Sequence, residues 1–207
     1  MLKNNEKIKI ENYIQRIING LLEDTKKSRS LGMNDKQIID RITEATVNKL
    51  TPESKMIMST VYNMLMESTL SEDLFQNPAN RALFYERDIL KDLNSNFSFT
   101  VPSNIDYNES KDIFDTKLKG GNIAVVIVGG AVSVKIKSLV PLGISIGIVF
   151  VAIMGIILFN KTKKGSKINI NELILEYLNS VRKLLIEWIE SIEIYYDEQI
   201  KKLKEGM

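Results

Sequence analysis

SLVPLGISIGIVFVAIMGIILFN, residues 138–160, runs for 23 residues without a formal charge between Lys137 and Lys161. As a helix rising about 1.5 Å per residue it reaches about 34 Å, enough to cross a hydrocarbon core of about 30 Å with some tilt. A soluble domain seldom needs a helix that is apolar on every face. The stretch is therefore read as a bilayer segment, and the rest of the chain is placed around it.

Immediately upstream lies a second uncharged run, GGNIAVVIVGGAVSV, residues 120–134. Fifteen residues make a helix of only about 22 Å, short for a full span. Lys119, Lys135 and Lys137 can snorkel toward the interfaces and lengthen it. On that reading the two runs form a helical hairpin, residues 120–160, with Lys135, Ile136 and Lys137 at its tip. The competing reading is a β-hairpin with strands at Ala124–Val128 and Ala131–Ile136. Gly129 and Gly130 would then be its two-residue turn, a favoured pair between β-branched flanks. An open two-stranded ribbon leaves unpaired edges in lipid unless several copies close together, so the helical form is the expected one and the β form stays open.

Composition narrows the chemistry. The 28 basic and 26 acidic side chains nearly cancel, so no whole-chain field draws nucleic acid or an acidic substrate. With no cysteine there is no disulfide framework, thiol nucleophile or thiolate metal site; with no histidine, the commonest general base and metal ligand are missing too. The chain contains no phosphate-binding Gly-x-x-x-x-Gly-Lys loop, no Gly-x-Ser-x-Gly elbow and no Asp-rich calcium loop. Glu86, Asp88, Glu187 and Glu190 read as solvated helix faces. No enzyme, cofactor or metal is expected.

Moving toward the amino terminus, Met1-Leu2-Lys3 opens a basic stretch with no apolar core behind it, unlike a secretory signal. Lysines flank the apolar region on both sides: Lys117 and Lys119 before it, then Lys161, Lys163, Lys164 and Lys167 after it. The positive-inside rule favours a hairpin with both outer flanks cytoplasmic, although Lys135 and Lys137 at a helical tip argue against it. A chain that stays soluble until insertion fits the same pattern. Ile10, Ile14, Ile17, Ile18 and Leu21 give an amphipathic helix over about 4–30, closed by Gly32. Asn34 starts a second over about 35–50. Thr51 and Pro52 look like the start of a third over 52–69, and a fourth follows Pro78 to about Leu93. Together they predict a helical bundle over residues 1–95. Residues 96–119 read as a linker, in which Phe97, Phe99 and Val101 alternate like a short strand, plus a lead-in helix.

On the carboxyl side, Asn169 with Glu172 caps a final helix, placed over about 168–205. Ile174, Val181, Trp188 and Tyr195 recur at seven, with Leu178, Leu185 and Ile192 alongside, a pattern for coiled-coil-like packing. Trp188, Leu185 and Ile192 are assigned to helix packing. Met56, Met58, Met64 and Met66 crowd one helix, as core filling or as an adaptable partner surface.

Gly143, Gly147 and Gly155 share a helical face with Val151 between them. Small residues at four-residue spacing let membrane helices approach closely. That face serves either self-association or packing against the chain's own first run, where Ala124, Gly129, Gly130 and Ala131 are small. The lysines at 161, 163, 164 and 167 can contact anionic headgroups as well as mark the end of a span. Without interleaved aromatics they do not suggest nucleic acid.

An apolar hairpin set inside otherwise amphipathic helices, residues 120–134 and 139–159 with lysine flanks, resembles the α-helical pore-forming toxins. In the colicin-type members the hairpin is stored in a soluble bundle; in the cytolysin-type members it is a tongue carried by long helices, which the final helix and the Gly129-Gly130 pair resemble more. The flanking helices here are shorter, and no diagnostic motif allows residue roles to be carried over. The resemblance implies an all-α protein that meets a lipid bilayer, self-associates and permeabilises or remodels it, as a toxin, holin-like factor or self-destructive effector does. The alternative is a membrane-anchored scaffold whose helices bind a protein partner.

Overall fold

Each long helix is a single apolar stripe with a chemical start and stop. The computed structural model describes residues 1–97, 123–128, 131–136 and 169–207. Helix α1 (Asn4–Ser30) opens with Glu6 accepting from the Lys3 N–H at 2.7 Å. It buries Ile10, Ile14, Ile17, Ile18 and Leu21. Thr25 and Ser28 take the last buried positions, and their hydroxyls donate to the Leu21 and Asp24 carbonyls, both at 2.9 Å. Polar groups can sit there because each has a partner. Gly32, at φ +78°, turns the chain out of the helix as expected.

Helix α2 (Asp35–Leu70) carries a full capping box: Gln37 N–H donates to Asn34 Oδ1, and Asn34 N–H donates to Gln37 Oε1, both at 3.0 Å. It then runs unbroken for 36 residues through Pro52. The two helices expected over 35–50 and 52–69 are one. The buried positions Ile38, Ile42, Thr46, Leu50, Ser54, Met58, Val61, Leu65 and Thr69 continue in phase across the proline. Pro52 itself lies on the exposed side, where the carbonyl it leaves without a donor can meet water. Thr51 does not cap; its hydroxyl donates back to the Val47 carbonyl at 2.8 Å. Burial of a continuous stripe outweighs a local start signal.

A 3₁₀ turn (Asp73–Gln76) leads to helix α3 (Pro78–Glu86), where Asn77 Oδ1 accepts from Ala79 N–H with Pro78 in the first turn. The single helix expected to Leu93 breaks at Arg87 and Asp88. Asp88 sits at φ +47°, and helix α4 (Ile89–Phe97) restarts after it. The break re-aims the chain so that Phe84 and then Ile89, Leu93 and Phe97 are all buried. Phe97 is thus the end of a helix, not the start of a strand.

Helix α5 (Ile170–Glu205) is the long terminal helix foreseen from its repeat, capped by Asn169 Oδ1 accepting from Asn171 N–H at 3.1 Å. Ile174, Val181 and Trp188 are buried, but the next position shifts: Tyr195 is half-buried and Tyr196 fully buried. A straight helix drifts by about 20° per seven residues, enough over three repeats to pass the seam to a neighbour. Helix α1 runs antiparallel to α5, with Leu2 beside Glu193 and Arg29 beside Asn171. Helix α2 runs parallel to α5, with Thr69 bonded to Tyr196 and Glu72 paired with Lys204. Tyr13 on α1 donates to the Glu53 carboxylate on α2. Helices α1, α2 and α5 share one core, and α4 packs against α2 and α5.

Two strands, β1 (Ile123–Val128) and β2 (Ala131–Ile136), form an antiparallel ribbon. This corrects the helical hairpin over that part of residues 120–160. Runs of six residues rich in Val and Ile are too short for a stable helix, and β-branched side chains suit a pleated strand. The body of the described chain is all-α.

Candidate functional site

The ribbon is the chemically distinctive part of the described chain. Its register pairs Ile123 with Ile136, Val125 with Val134 and Ile127 with Val132, six β-branched residues at alternate positions that share one face. The other face aligns Ala124 with Lys135, Val126 with Ser133 and Val128 with Ala131. Lys135 is the one charged residue of the two strands. A helical hairpin would have carried it at the tip. The observed register places it beside Ala124, four pairs back from Val128–Ala131, about 13 Å at roughly 3.3 Å per residue. The two residues between the innermost pair, Gly129 and Gly130, carry no charge. Six residues per strand span about 20 Å, short of the 9–11 residues a transmembrane strand needs.

The bundle holds this insertion at two points. At the first, the Trp188 indole N–H donates to the Phe97 carbonyl at 3.1 Å, fixing the last residue of α4 against the middle of α5. The Phe97 ring meets Tyr195 edge to face with centroids 5.4 Å apart. Trp188, Leu185 and Ile192, the three residues assigned to packing, are all in the core at 2% exposure or less. The sequence did not signal that the tryptophan's polar edge closes onto a chain exit 91 residues away. A buried indole needs an acceptor, and an open helix-end carbonyl supplies one. At the second point, Asn171 Oδ1 accepts from Arg29 at 2.6 Å beside the α5 cap.

A polar seam runs along α4 and α5 below Trp188. Arg87 pairs with Asp92 at 2.8 Å and donates to Gln199 Oε1 at 2.6 Å. Tyr195 O–H donates to Asp92, and Asn96 donates to Tyr195, both at 3.4 Å. Burial pushes the Tyr195 phenol up, and the Asp92 charge adds to it. Burial also pushes the Tyr196 phenol well above its ordinary value; it donates to Thr69 Oγ1 at 3.0 Å. Glu193, 3% exposed, accepts from Leu2 N–H at 3.2 Å and pairs with Lys7 at 3.3 Å. Its role was missed because charges on α5 read alike in sequence, and only the packing of α1 buries this one.

Gly129, Gly130, Gly143, Gly147, Val151, Gly155, Lys161, Lys163, Lys164 and Lys167 lie outside the described residues. Of the methionines, Met58 fills the core, Met64 and Met66 are half-buried and Met56 faces solvent. A shallow groove of about 490 Å³ at the foot of α2 and α5 mixes Glu72, Asp197, Lys201 and Lys204 without a convergent catalytic set. Among the described residues no cluster could hold a metal ion. Among the same residues no helix is long and apolar enough to cross a membrane. Comparison with known proteins finds no matching family model, no matching curated protein and no matching solved structure.

Proposed function

We propose that this chain is a membrane-inserting protein whose hairpin enters a bilayer tip first and whose residues 138–160 complete the crossing. The observation that carries the reading is the ribbon register, which sets an uncharged Gly129-Gly130 end ahead of Lys135. A charge leading the way into hydrocarbon costs several kcal/mol, about 2.5–3.5 on insertion scales, and this geometry avoids it. Two strands of six residues reach only part of the way, so the full span falls to the 23 uncharged residues that follow. Copies then associate through the face of Gly143, Gly147, Val151 and Gly155 and make the bilayer leak. The lysines at 161, 163, 164 and 167 hold anionic headgroups where the span ends. The resemblance to cytolysin-type α-helical toxins supports the same reading.

Release of an encapsulated dye from neutral and anionic liposomes tests it, with alkaline carbonate extraction run in parallel. Leakage together with carbonate-resistant protein is the expected result. Inserted protein that releases no dye at any lipid composition defeats the proposal. A second reading, a membrane-anchored scaffold, draws on the exposed apolar side chains Leu74, Leu83 and Tyr85 around α3, 40–55% exposed. It expects activity to survive replacement of residues 120–160 by an unrelated two-span anchor.

A further inference from the structure

We propose that α4 is a strap, hinged at Asp88 and latched by Trp188, that lifts from α2 and α5 and lengthens the tether on which the hairpin reaches lipid. The proposal rests on the membrane-inserting reading for its consequence, but its mechanics rest on the bundle alone. Helix α4 has nine residues, fewer than the 12–15 or so an isolated helix needs in water. It is helical because Ile89, Leu93 and Phe97 are docked, one stripe at four-residue spacing.

The strap has a hinge, a seam and a latch. Asp88, at φ +47°, separates it from α3, and Arg87 spans this hinge, paired with Asp92 on α4 and bonded to Gln199 on α5. The Tyr195 and Asn96 contacts of the seam, long at 3.4 Å, are of a kind water replaces readily. The latch is the indole N–H of Trp188, which donates to the Phe97 carbonyl. Ile89, Leu93 and Phe97 belong to the same core as the buried residues of α1, α2 and α5. Those three helices supply most of it, so the core is expected to persist when α4 leaves. Such a short, seam-held segment is the kind that opens locally, below the free energy of global unfolding.

Lifting changes geometry at one attachment only. Docked, Phe97 is held beside Trp188 at the end of α4. Undocked and melted, the nine residues from Ile89 to Phe97 stretch from about 13 Å as a helix to about 30 Å extended. The other attachment stays at the head of α5, where Asn171 is held by Arg29.

Because the chain has no cysteine, single introduced thiols report opening cleanly. Leu93→Cys sits on the docked face of the strap itself and Met58→Cys in the α2 core, both at fully buried positions. Adding Trp188→Phe should speed maleimide labelling of Leu93→Cys about tenfold and leave Met58→Cys unchanged. Equal acceleration at both sites, or none at Leu93→Cys, overturns the strap. In the Trp188 background, vesicles of phosphatidylglycerol and phosphatidylcholine should accelerate Leu93→Cys alone, and labelling indifferent to them overturns the coupling to lipid. Joining Asn96→Cys to Tyr195→Cys with a short reducible bismaleimide should abolish dye release, and reduction should restore it. Dye release that persists with α4 tethered sinks the strap and leaves the membrane reading standing. Absence of dye release from every form, with Leu93→Cys still selectively opened by Trp188→Phe and by vesicles, sinks the membrane reading and leaves the strap.

Discussion

Helix α5 and the β1–β2 ribbon are both rich in aliphatic side chains, Ile and Leu in the helix and Val and Ile in the ribbon, and solve opposite problems. Along α5 the apolar side chains recur every three or four positions, and charges such as Lys183 and Glu187 fill the gaps. All its interior backbone bonds close within the helix, and its stripe is covered by α1 and α2. In the ribbon apolar residues follow one another without a break in β1, and the ladder closes along one side of each strand. Among the described residues each strand therefore keeps an outer edge. A two-stranded hairpin is marginal in water by itself. One region closes its interior backbone bonds within itself; the other leaves an edge on each strand.

The sharpest way to break this contrast is to give the ribbon the polarity of the helix. Val125→Lys with Val134→Lys sets two like charges directly opposite each other on the all-apolar face. Dye release should fall at least about tenfold, as two charges at about 2.5–3.5 kcal/mol each oppose insertion. The helical melting transition followed by circular dichroism should not move. A shifted melt would mean that the bundle's stability depends on the ribbon.

The converse experiment damages the helix. Trp188→Ala removes a side chain 2% exposed together with the donor to Phe97, and should cost about 3–5 kcal/mol in urea unfolding. An effect below 1 kcal/mol would show that the seam of α5 tolerates a hole, against its reading as a close-packed surface. The smallest effect belongs to Tyr196. Tyr196→Phe loses one hydrogen bond to Thr69, worth about 1 kcal/mol at neutral pH. The folded phenol holds its proton more tightly than the unfolded one, whose value is 10.0. Stability is therefore intact below that pH and declines above it, as the unfolded phenol ionises first. Stability measured between pH 9 and 11 should fall less steeply in Tyr196→Phe than in the parent. Parallel slopes would remove Tyr196 from the alkaline account.

The bundle was readable where local chemistry agreed with packing. Gly32, Asn34 and Asn169 announce helix ends because a cap acts within three residues. The stripes of α1 and α5 are legible because helical period alone fixes which side chains share a face. Reading failed where a local signal met a longer-range one. Thr51-Pro52 carries every mark of a helix start, yet a stripe from Ile38 to Thr69 runs straight through it. Nothing at Asp88 marks a break; the turn exists because Phe84 and Ile89 both find room in the core. For residues 123–136 periodicity could not choose between helix and strand, since a short apolar run fits both.

The amino-acid sequence by itself determined helices α1 and α5, the caps at Gly32, Asn34 and Asn169, the missing catalytic residue types and the two runs with no charge to solvate. These depend on neighbours within a few positions, or on composition. Tertiary structure alone decided that α2 is continuous, that Glu193 is buried against Leu2, that Lys135 pairs with Ala124 and that Trp188 closes on Phe97. Each depends on a partner supplied by chain folding: Leu2 and Glu193 stand 191 residues apart, and Phe97 and Trp188 stand 91 apart. No local pattern can encode such a meeting, because the free energy that enforces it comes from burying both partners at once.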